Sequence, residues 1–302
     1  MKKVTPYLYI LPCFLTVTVF LLIPVLYNIA VSFTDFKGID LSNMTWNGIG
    51  NYKTLFADPN FRTAIKNTVI FMALTIVFQV GISLVMTIFL ERGLIGSRLF
   101  EVIFFVPSVL SSVIIAYTFN QIYEPNFGFL NSFLGAVGLK SLQHIWLSDM
   151  RLALYCILAA NVYQWTGMGI IYYRAGLANI SHDVYESATI DGAGYWQRFR
   201  YITFPLLKPA HLTMVLMGTI GTLKFFDLVY IMTQGGPAGA TEFPMTYLYK
   251  RFSLEANNGL ASALAVVILV IAFVISALQV KPVSYTHLDV YKRQMLDCDI
   301  SG

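Results

Sequence analysis

Long apolar runs separated by short polar segments dominate the chain. A helix needs roughly 20 mostly apolar residues to cross a bilayer, and six stretches reach or approach this length. The predicted spans are residues 8–33, 67–90, 100–123, 152–174, 210–233 and 259–280. The pattern therefore predicts an all-α, polytopic membrane protein with six transmembrane helices, in which residues 1–280 form one transmembrane domain.

One polar segment, residues 175–209, is much longer than a connector between two spans requires. Asp183 is the expected N-cap of a short helix over residues 184–190. Gly192 follows an aspartate and predicts a tight turn, because glycine adopts backbone conformations that are closed to other residues. The segment thus has an internal order that a simple connector would lack.

The second part of this segment is amphipathic. Phe199 and Ile202 lie among arginines, and Pro205 and Pro209 are expected to end the helix and to set the entry of the fifth span. The resulting helix–turn–helix unit would suit docking of a soluble partner. From the residues alone, an amphipathic loop lying on the lipid surface is an equal alternative.

The composition fits a protein whose surface mostly faces something other than water. Hydrophobic residues make up 57% of the 302 residues and charged residues only 12%, against roughly 25% charged residues in a soluble domain. The net charge of +4 comes without a basic run that would indicate nucleic acid. The three cysteines are far apart and have no ligand spacing, which implies neither a disulfide framework nor a zinc site.

The sequence contains no pattern for nucleotide or catalytic chemistry. A phosphate-binding loop of the form Gly-x4-Gly-Lys-Ser/Thr does not occur, and neither does a nucleophile–base arrangement or a metal-ligand cluster. We therefore predict no catalytic residues, no metal site and no cofactor bound by this chain. Any energy from ATP has to come from another subunit, and the chain by itself is predicted not to be an enzyme.

Two charged residues interrupt the fifth predicted span. A charge near the bilayer centre costs roughly 2.5–3.5 kcal/mol on insertion scales. Lys224 and Asp227 are three residues apart, which on a continuous helix places them on one face, where they can neutralise each other. A structural ion pair is the favoured interpretation, and a position along a substrate pathway or its outer gate is the alternative.

Polar and aromatic side chains also occur in two other spans. They are Gln79 in the second span and Asn161, Gln164 and Trp165 in the fourth. Trp165 could stack on the face of a sugar ring while the amides bond its hydroxyl groups. Interhelical hydrogen bonding is at least as good an explanation of the amides.

Residues 186–205 resemble the EAA motif of permease subunits of binding-protein-dependent ABC importers. Glu186, Ser187 and Ala188 are followed at the family spacing by Gly192, Ile202 and Pro205. Ser187 replaces the usual alanine, and Phe204 replaces the usual leucine. The resemblance implies that this loop inserts into a cleft of the ATPase subunit. The residues expected to couple the two subunits are Glu186, Ser187, Ala188, Asp191, Gly192, Ala193, Phe199, Ile202 and Pro205.

Further segments resemble sugar permeases of the maltose and glycerol-phosphate type. They are residues 51–59, 67–68, 104–107, 224–227, 233–237 and 259–263, in the order expected for the family. The resemblance implies a carbohydrate importer in a bacterial inner membrane. The implied partners are a second permease subunit, two ATPase subunits that hydrolyse ATP, and an extracytoplasmic substrate-binding protein.

The distribution of basic residues indicates on which side of the membrane the termini lie. Lys and Arg are almost equally numerous on the two sides, but the inner segments are shorter, which favours both termini in the cytoplasm.

Residues 281–302 match no family pattern and are predicted to be a non-native or disordered tail. The alternatives are an ATP-independent secondary transporter, which would be expected to contain inverted repeats, and a membrane scaffold that only recruits a partner.

Overall fold

A computed structural model of the chain describes residues 5–40, 42, 44–91, 93 and 96–300, with the side chains of residues 9–279 in those ranges. Every regular element in this part of the chain is a helix, and β pairing there is limited to two isolated bridges. The all-α prediction is therefore confirmed.

Six α-helices lie in the described residues of the first half of the chain. They are α1 (Thr5–Val17 and Ile23–Val31, joined by the π-helical turn Thr18–Leu22), α2 (Gly50–Ala57), α3 (Pro59–Thr75 and Gly81–Leu90, joined by the π-helical turn Ile76–Val80), α4 (Ser97–Val109), α5 (Ser112–Ile122) and α6 (Phe129–Ala136).

Seven more α-helices lie in the described residues of the second half. They are α7 (Ala153–Ala178), α8 (His182–Ile190), α9 (Tyr195–Leu206), α10 (Lys208–Leu223), α11 (Asp227–Met232), α12 (Pro244–Tyr249) and α13 (Asn258–Ile300). A π-helical turn over Phe199–Thr203 lies inside α9.

Three of these helices are long and apolar enough to cross a membrane. They are α1 over Tyr9–Val31, α3 over Pro59–Leu90 and α13 over Asn258–Gln279. Two bent pairs, α4 with α5 and α9 with α10, raise the number to five if each pair is one span. The fourth predicted span coincides with α7, whose amide side chains lower its hydropathy, so the number of six spans stays a prediction.

The third and fifth predicted spans are not continuous helices. The third bends by 103° between Val109 and Ser112, where Leu110 has an extended backbone and Ser111 caps the next helix by accepting a hydrogen bond from the backbone N–H of Val113. The fifth stops at Leu223 and resumes at Asp227. The helix break in the fifth span lies at the two charged residues that interrupt it in the sequence, whereas the bend in the third span was not predicted.

The long helix α7 forms the centre of the bundle. Ile157 and Ala160 on this helix are fully buried, in a cluster that contains Phe71 of α3 and Val229 of α11. A Cβ atom added at Gly167 would lie 2.0 Å from the carbonyl oxygen of Phe104. Glycine is therefore required where α4 crosses α7, as small residues are at close helix crossings in membranes.

Of the predicted tail, residues 281–302, the structure describes only the backbone, and only as far as Ile300. The backbone of α13 runs to Ile300, while the side chains beyond residue 279 and all of residues 301–302 are not described. The prediction of a non-native or disordered tail therefore stays a prediction.

Candidate functional site

A cavity of about 400 Å³ lies between α3, α7, α10 and the break before α11. All six residues predicted to face a pathway line it, although they come from three predicted spans. They are Gln79, Asn161, Gln164, Trp165, Lys224 and Asp227. The structure thus brings together side chains that the sequence could only place on separate helices.

Two buried polar atoms in the cavity wall have no hydrogen-bond partner within the described residues. They are Thr75 Oγ1 and Gln164 Oε1, and both residues line the cavity. A buried polar group without a partner costs about 1–3 kcal/mol. Such groups in a cavity wall are suited to a ligand that carries hydroxyl groups.

Gln164 also holds the bend of the third predicted span. Its Nε2 donates to the carbonyl oxygen of Leu110 at 3.3 Å and to Ser112 Oγ at 3.1 Å. Ser108 Oγ donates in turn to the Gln164 carbonyl oxygen at 2.8 Å. One side chain of α7 thus contacts both α5 and the segment that ends α4, and its free oxygen belongs to the cavity wall.

Lys224 and Asp227 lie on the two sides of the break in the fifth span. Lys224 follows the end of α10, and Asp227 is the first residue of α11. Both side chains are exposed to the cavity, and among the described residues no ion pair joins them. The prediction that they share one helix face is wrong, because residues 224–226 are not helical.

The cavity includes residues that the sequence reading missed. Thr75 is one helical turn before Gln79, and Tyr172 is two turns after Trp165. Both positions follow from helical periodicity once the neighbouring residue is placed on the cavity face. This helical spacing could have identified both residues from the sequence.

At the opposite end of α7, helix α8 begins one residue after a serine cap. Ser181 Oγ accepts a hydrogen bond from the backbone N–H of Asp183 at 3.3 Å. The prediction of Asp183 as the N-cap is therefore wrong. Asp183 lies in the first turn, where its negative charge interacts favourably with the helix dipole.

The predicted turn at Gly192 is present. Gly192 has a φ of +79°, in the left-handed region that favours glycine. Its N–H donates to the Thr189 carbonyl at 3.1 Å, and the N–H of Ala193 donates to the Ala188 carbonyl at 2.9 Å. These bonds satisfy the carbonyls that the end of α8 leaves free.

Side-chain hydrogen bonds join α8 to α9. Tyr185 and Thr203 are paired through their hydroxyl groups at 3.0 Å, and Arg198 Nη1 donates to Thr189 Oγ1 at 3.0 Å. α9 continues one residue past Pro205 to Leu206, and Pro209 occupies the first turn of α10. The prediction that Pro205 ends the second helix is off by that one residue.

The loop is packed firmly onto the spans. Leu207, at its end, is fully buried in a cluster with Tyr173 of α7 and Met214 of α10. His211 Nδ1 and the Tyr173 hydroxyl are 2.7 Å apart, and the His211 ring lies 4.7 Å from the ring of Phe204. Displacement of the loop would therefore move the ends of α7 and α10 with it.

The outward surface of the loop carries apolar side chains. Ile190 is 81% exposed, Trp196 69% and Tyr201 75%. The predicted coupling residues divide by exposure: Glu186, Ser187, Asp191, Gly192 and Pro205 are exposed, Ala193, Phe199 and Ile202 are half-buried, and Ala188 is buried. Ala188 therefore packs inside the unit and does not contact an approaching surface.

Beside this loop, one arginine joins three helices. Arg174 of α7 pairs with Glu91 after α3, at 2.9 Å, and with Glu101 of α4. Glu91 also lines a small crevice with Tyr185 of α8. Nothing in the sequence pairs Arg174 with these acids, which lie more than 70 positions away.

A second ionic network ties the opposite end of the bundle together. Asp58, before α3, accepts hydrogen bonds from Arg251 at 2.9 Å and from the Tyr247 hydroxyl at 2.5 Å. Burial raises the pKa of Asp58, but the hydrogen bonds from Tyr247 and the Asn60 amide and the charge of Arg251 lower this pKa below its usual value overall.

Residues quoted for the family resemblance hold this end in place. Asn51 Nδ2 donates to the carbonyls of Ser32 and Thr34 at 2.9 and 2.8 Å. Asn67 Nδ2 donates to the carbonyls of Ala240 and Glu242 at 3.1 and 3.0 Å. These asparagines order the segments that connect the spans.

Two relatives match along almost the whole chain. The lactose transport system permease protein LacF of Rhizobium radiobacter is 34% identical over 91% of this chain and 93% of its own length. The trehalose/maltose transport system permease protein MalF of Thermococcus litoralis is 31% identical over 91% and 92%.

Solved structures share the fold. A chain of a bacterial ABC transporter involved in the import of the acidic polysaccharide alginate superimposes with a TM-score of 0.80, at 24% identity, over 92% of this chain and 96% of that one.

The family of binding-protein-dependent transport system inner membrane components matches residues 80–281. This match covers more than half of the chain and includes the bend, the polar loop and the cavity lining apart from Thr75 and Gln79. It confirms the expectation of an ABC importer permease, which is not an enzyme by itself, over a secondary transporter or a scaffold. The chain belongs to the family of binding-protein-dependent transport system inner membrane components.

Proposed function

We propose that this permease carries a carbohydrate through the cavity between α3, α7 and α10. The observation that carries the proposal is the convergence of all six predicted pathway residues on that cavity. The relatives are named for lactose and for trehalose/maltose transport, which supports a sugar as the substrate.

The cavity offers the two kinds of contact that a sugar needs. Trp165 is 37% exposed and presents a ring that can pack against the apolar face of a sugar. Gln79 and Asn161 supply amides, and the unpaired Gln164 Oε1 and Thr75 Oγ1 can bond hydroxyl groups. A few polar groups in a mostly apolar cavity are typical of small-molecule sites.

We further propose that the loop over residues 182–206 docks onto an ATPase subunit. The chain has no phosphate-binding loop of its own, so ATP is bound and hydrolysed by two partner subunits. The exposed Ile190, Trp196 and Tyr201 supply an apolar contact surface. The packing of Leu207 and His211 against Tyr173 supports transmission of a movement from the docked subunit to the spans.

A second permease subunit completes the pathway in this proposal. None of the residues in the most apolar part of α1 is buried within this chain. Apolar side chains such as Phe20, at 79% exposure, would then pack against another membrane subunit or lipid. An extracytoplasmic binding protein delivers the sugar, and both termini lie in the cytoplasm, which puts the loop on the ATPase side.

The test is uptake by the assembled transporter. The chain would be purified with its second permease, ATPase and binding-protein partners and placed in proteoliposomes with radiolabelled lactose, maltose and arabinotriose. We expect ATP-dependent uptake of at least one sugar, reduced at least tenfold by Trp165→Ala. Tyr155→Ala is the control, because Tyr155 is an exposed aromatic residue of α7 outside this cavity. Uptake unaffected by Trp165→Ala would place the pathway elsewhere.

A further inference from the structure

An almost wholly apolar groove of about 650 Å³ runs along the outside of the bundle between α3 and α13. Phe56, Phe61 and Ile65 form one side, and Val267, Val270 and Ile271 form the other. It is separate from the central cavity and from the loop over residues 182–206. In a membrane protein, such a groove faces lipid tails or another subunit.

The groove starts near the expected membrane boundary. Phe56, Phe61 and Arg62 lie around Pro59, the first residue of α3 and shortly before the predicted span at residues 67–90, and aromatic side chains are enriched at membrane interfaces. Ile271 is 13 residues after Asn258, or about 20 Å along α13 at 1.5 Å per residue. The groove therefore leads from the headgroup level into the apolar interior, which is the path of an acyl chain.

An arginine is fixed at the mouth of the groove. Arg62 Nε donates to the carbonyl oxygen of Phe56 at 3.0 Å. This bond holds the guanidinium at the rim and leaves its two terminal nitrogens for another partner. A planar guanidinium with two free N–H groups is suited to binding phosphate oxygens through paired hydrogen bonds.

The surroundings of Arg62 favour an anion. Lys66, one turn further along α3, and Lys53 on α2 are exposed, and among the described residues neither these lysines nor Arg62 forms an ion pair. The nearby acid, Asp58, is already paired with Arg251. Three unpaired cations at this level attract an anionic headgroup.

We propose that this groove binds an anionic phospholipid from the leaflet opposite the loop over residues 182–206. One acyl chain lies along Val267, Val270 and Ile271, and the phosphate contacts Arg62. A helix of another subunit would cover the apolar walls equally well, but it would have to bring an acidic group to Arg62. The charge complementarity therefore favours the lipid.

The proposal is tested by lipid retention in the assembled transporter. Native mass spectrometry would compare complexes from nanodiscs of phosphatidylglycerol and of phosphatidylethanolamine. We expect several-fold more phosphatidylglycerol to be retained. Arg62→Gln should reduce this retention about fivefold, the equivalent of ~1 kcal/mol. Arg151→Gln, an exposed arginine at the same end of the bundle outside the groove, should leave it unchanged.

A second variant tests the groove without changing the charge. Val270→Trp fills its deep end from a position that is 53% exposed, so the core is not disturbed. Val274→Trp is the matched control, because Val274 is one turn further, 48% exposed and outside the groove. Only Val270→Trp should lower lipid retention.

A photo-crosslinker at position 270 identifies the occupant directly. Crosslinking to a phospholipid supports the proposal, whereas crosslinking to a protein subunit would overturn it. Equal retention of the two lipids, or equal retention in Arg62→Gln and Arg151→Gln, would also overturn it. None of these readouts depends on which sugar is transported.

Discussion

The central cavity and the loop over residues 182–206 are built in opposite ways. The cavity wall contains buried polar atoms without partners, Thr75 Oγ1 and Gln164 Oε1. The loop bonds many of its polar groups internally and exposes apolar side chains such as Ile190 and Trp196. Each region lacks what a different ligand would supply: hydroxyl groups for the cavity, and an apolar protein surface for the loop.

The two regions are also connected differently. The loop is a rigid unit whose end, at Leu207 and His211, is packed against α7 and α10. The cavity borders two breaks, one held by Gln164 and one between Leu223 and Asp227. A rigid element at one end and broken spans at the other suit a transporter whose spans change arrangement when the loop moves.

The largest effect is expected from Gly192→Pro. Proline fixes φ near −65°, whereas Gly192 requires +79° and donates its N–H to Thr189. The variant should insert in the membrane but lose ATPase co-purification more than tenfold. Gly138→Pro is the matched control, since Gly138 has a φ of +83° in a turn at the other end of the molecule. Wild-type yields of ATPase with Gly192→Pro would refute the docking model.

The next effect concerns the bend in the third span. Gln164→Leu removes the hydrogen bonds to Leu110 and Ser112 and should lower the free energy of unfolding by about 1–2 kcal/mol, at roughly 1 kcal/mol for each bond. Denaturation in detergent would measure it. Gln79→Leu, which loses one long bond of 3.4 Å, should cost less. Equal losses would mean that Gln164 has no special role at the bend.

Substitutions of Lys224 and Asp227 distinguish a role in the substrate pathway from a structural ion pair. Because Lys224 and Asp227 are not paired across residues 224–226, Lys224→Ala and Asp227→Ala should each express near the wild-type level and each reduce uptake. The double variant should express no better than either single variant. Recovery of expression in the double variant would instead indicate a structural ion pair.

The smallest effect is a pH dependence at the opposite end from the loop. The pKa of Asp58 is lower in the folded protein than in the unfolded chain. Its contribution to stability is therefore present above the unfolded value of about 3.9 and is lost as the pH falls through the lower folded value. Thermal unfolding between pH 7 and 3 should show this acid loss, and Asp58→Asn should flatten it. If Asp58→Asn loses as much thermal stability at low pH as the wild-type protein, other groups are responsible for the loss.

The features that could be predicted from the sequence are those that neighbouring residues determine. The turn at Gly192 follows from neighbouring residues, so it could be located. Ser181 and Asp183 are both good caps, and only the backbone geometry selects Ser181. The break after Leu223 contains no glycine or proline. The hydrogen bonds from Gln164 to the bend join residues that are more than 50 positions apart in the sequence. Neither could be inferred from spacing.

The most direct test of the account is the ratio of sugar taken up to ATP hydrolysed by the assembled transporter in proteoliposomes. For Trp165→Ala, the account predicts that ATP hydrolysis persists while uptake falls at least tenfold, so that the ratio falls. For Gly192→Pro, both should be lost together. A wild-type ratio in Trp165→Ala, or normal sugar-stimulated hydrolysis in Gly192→Pro, would contradict the assignment of the cavity to the sugar and of the loop to the ATPase.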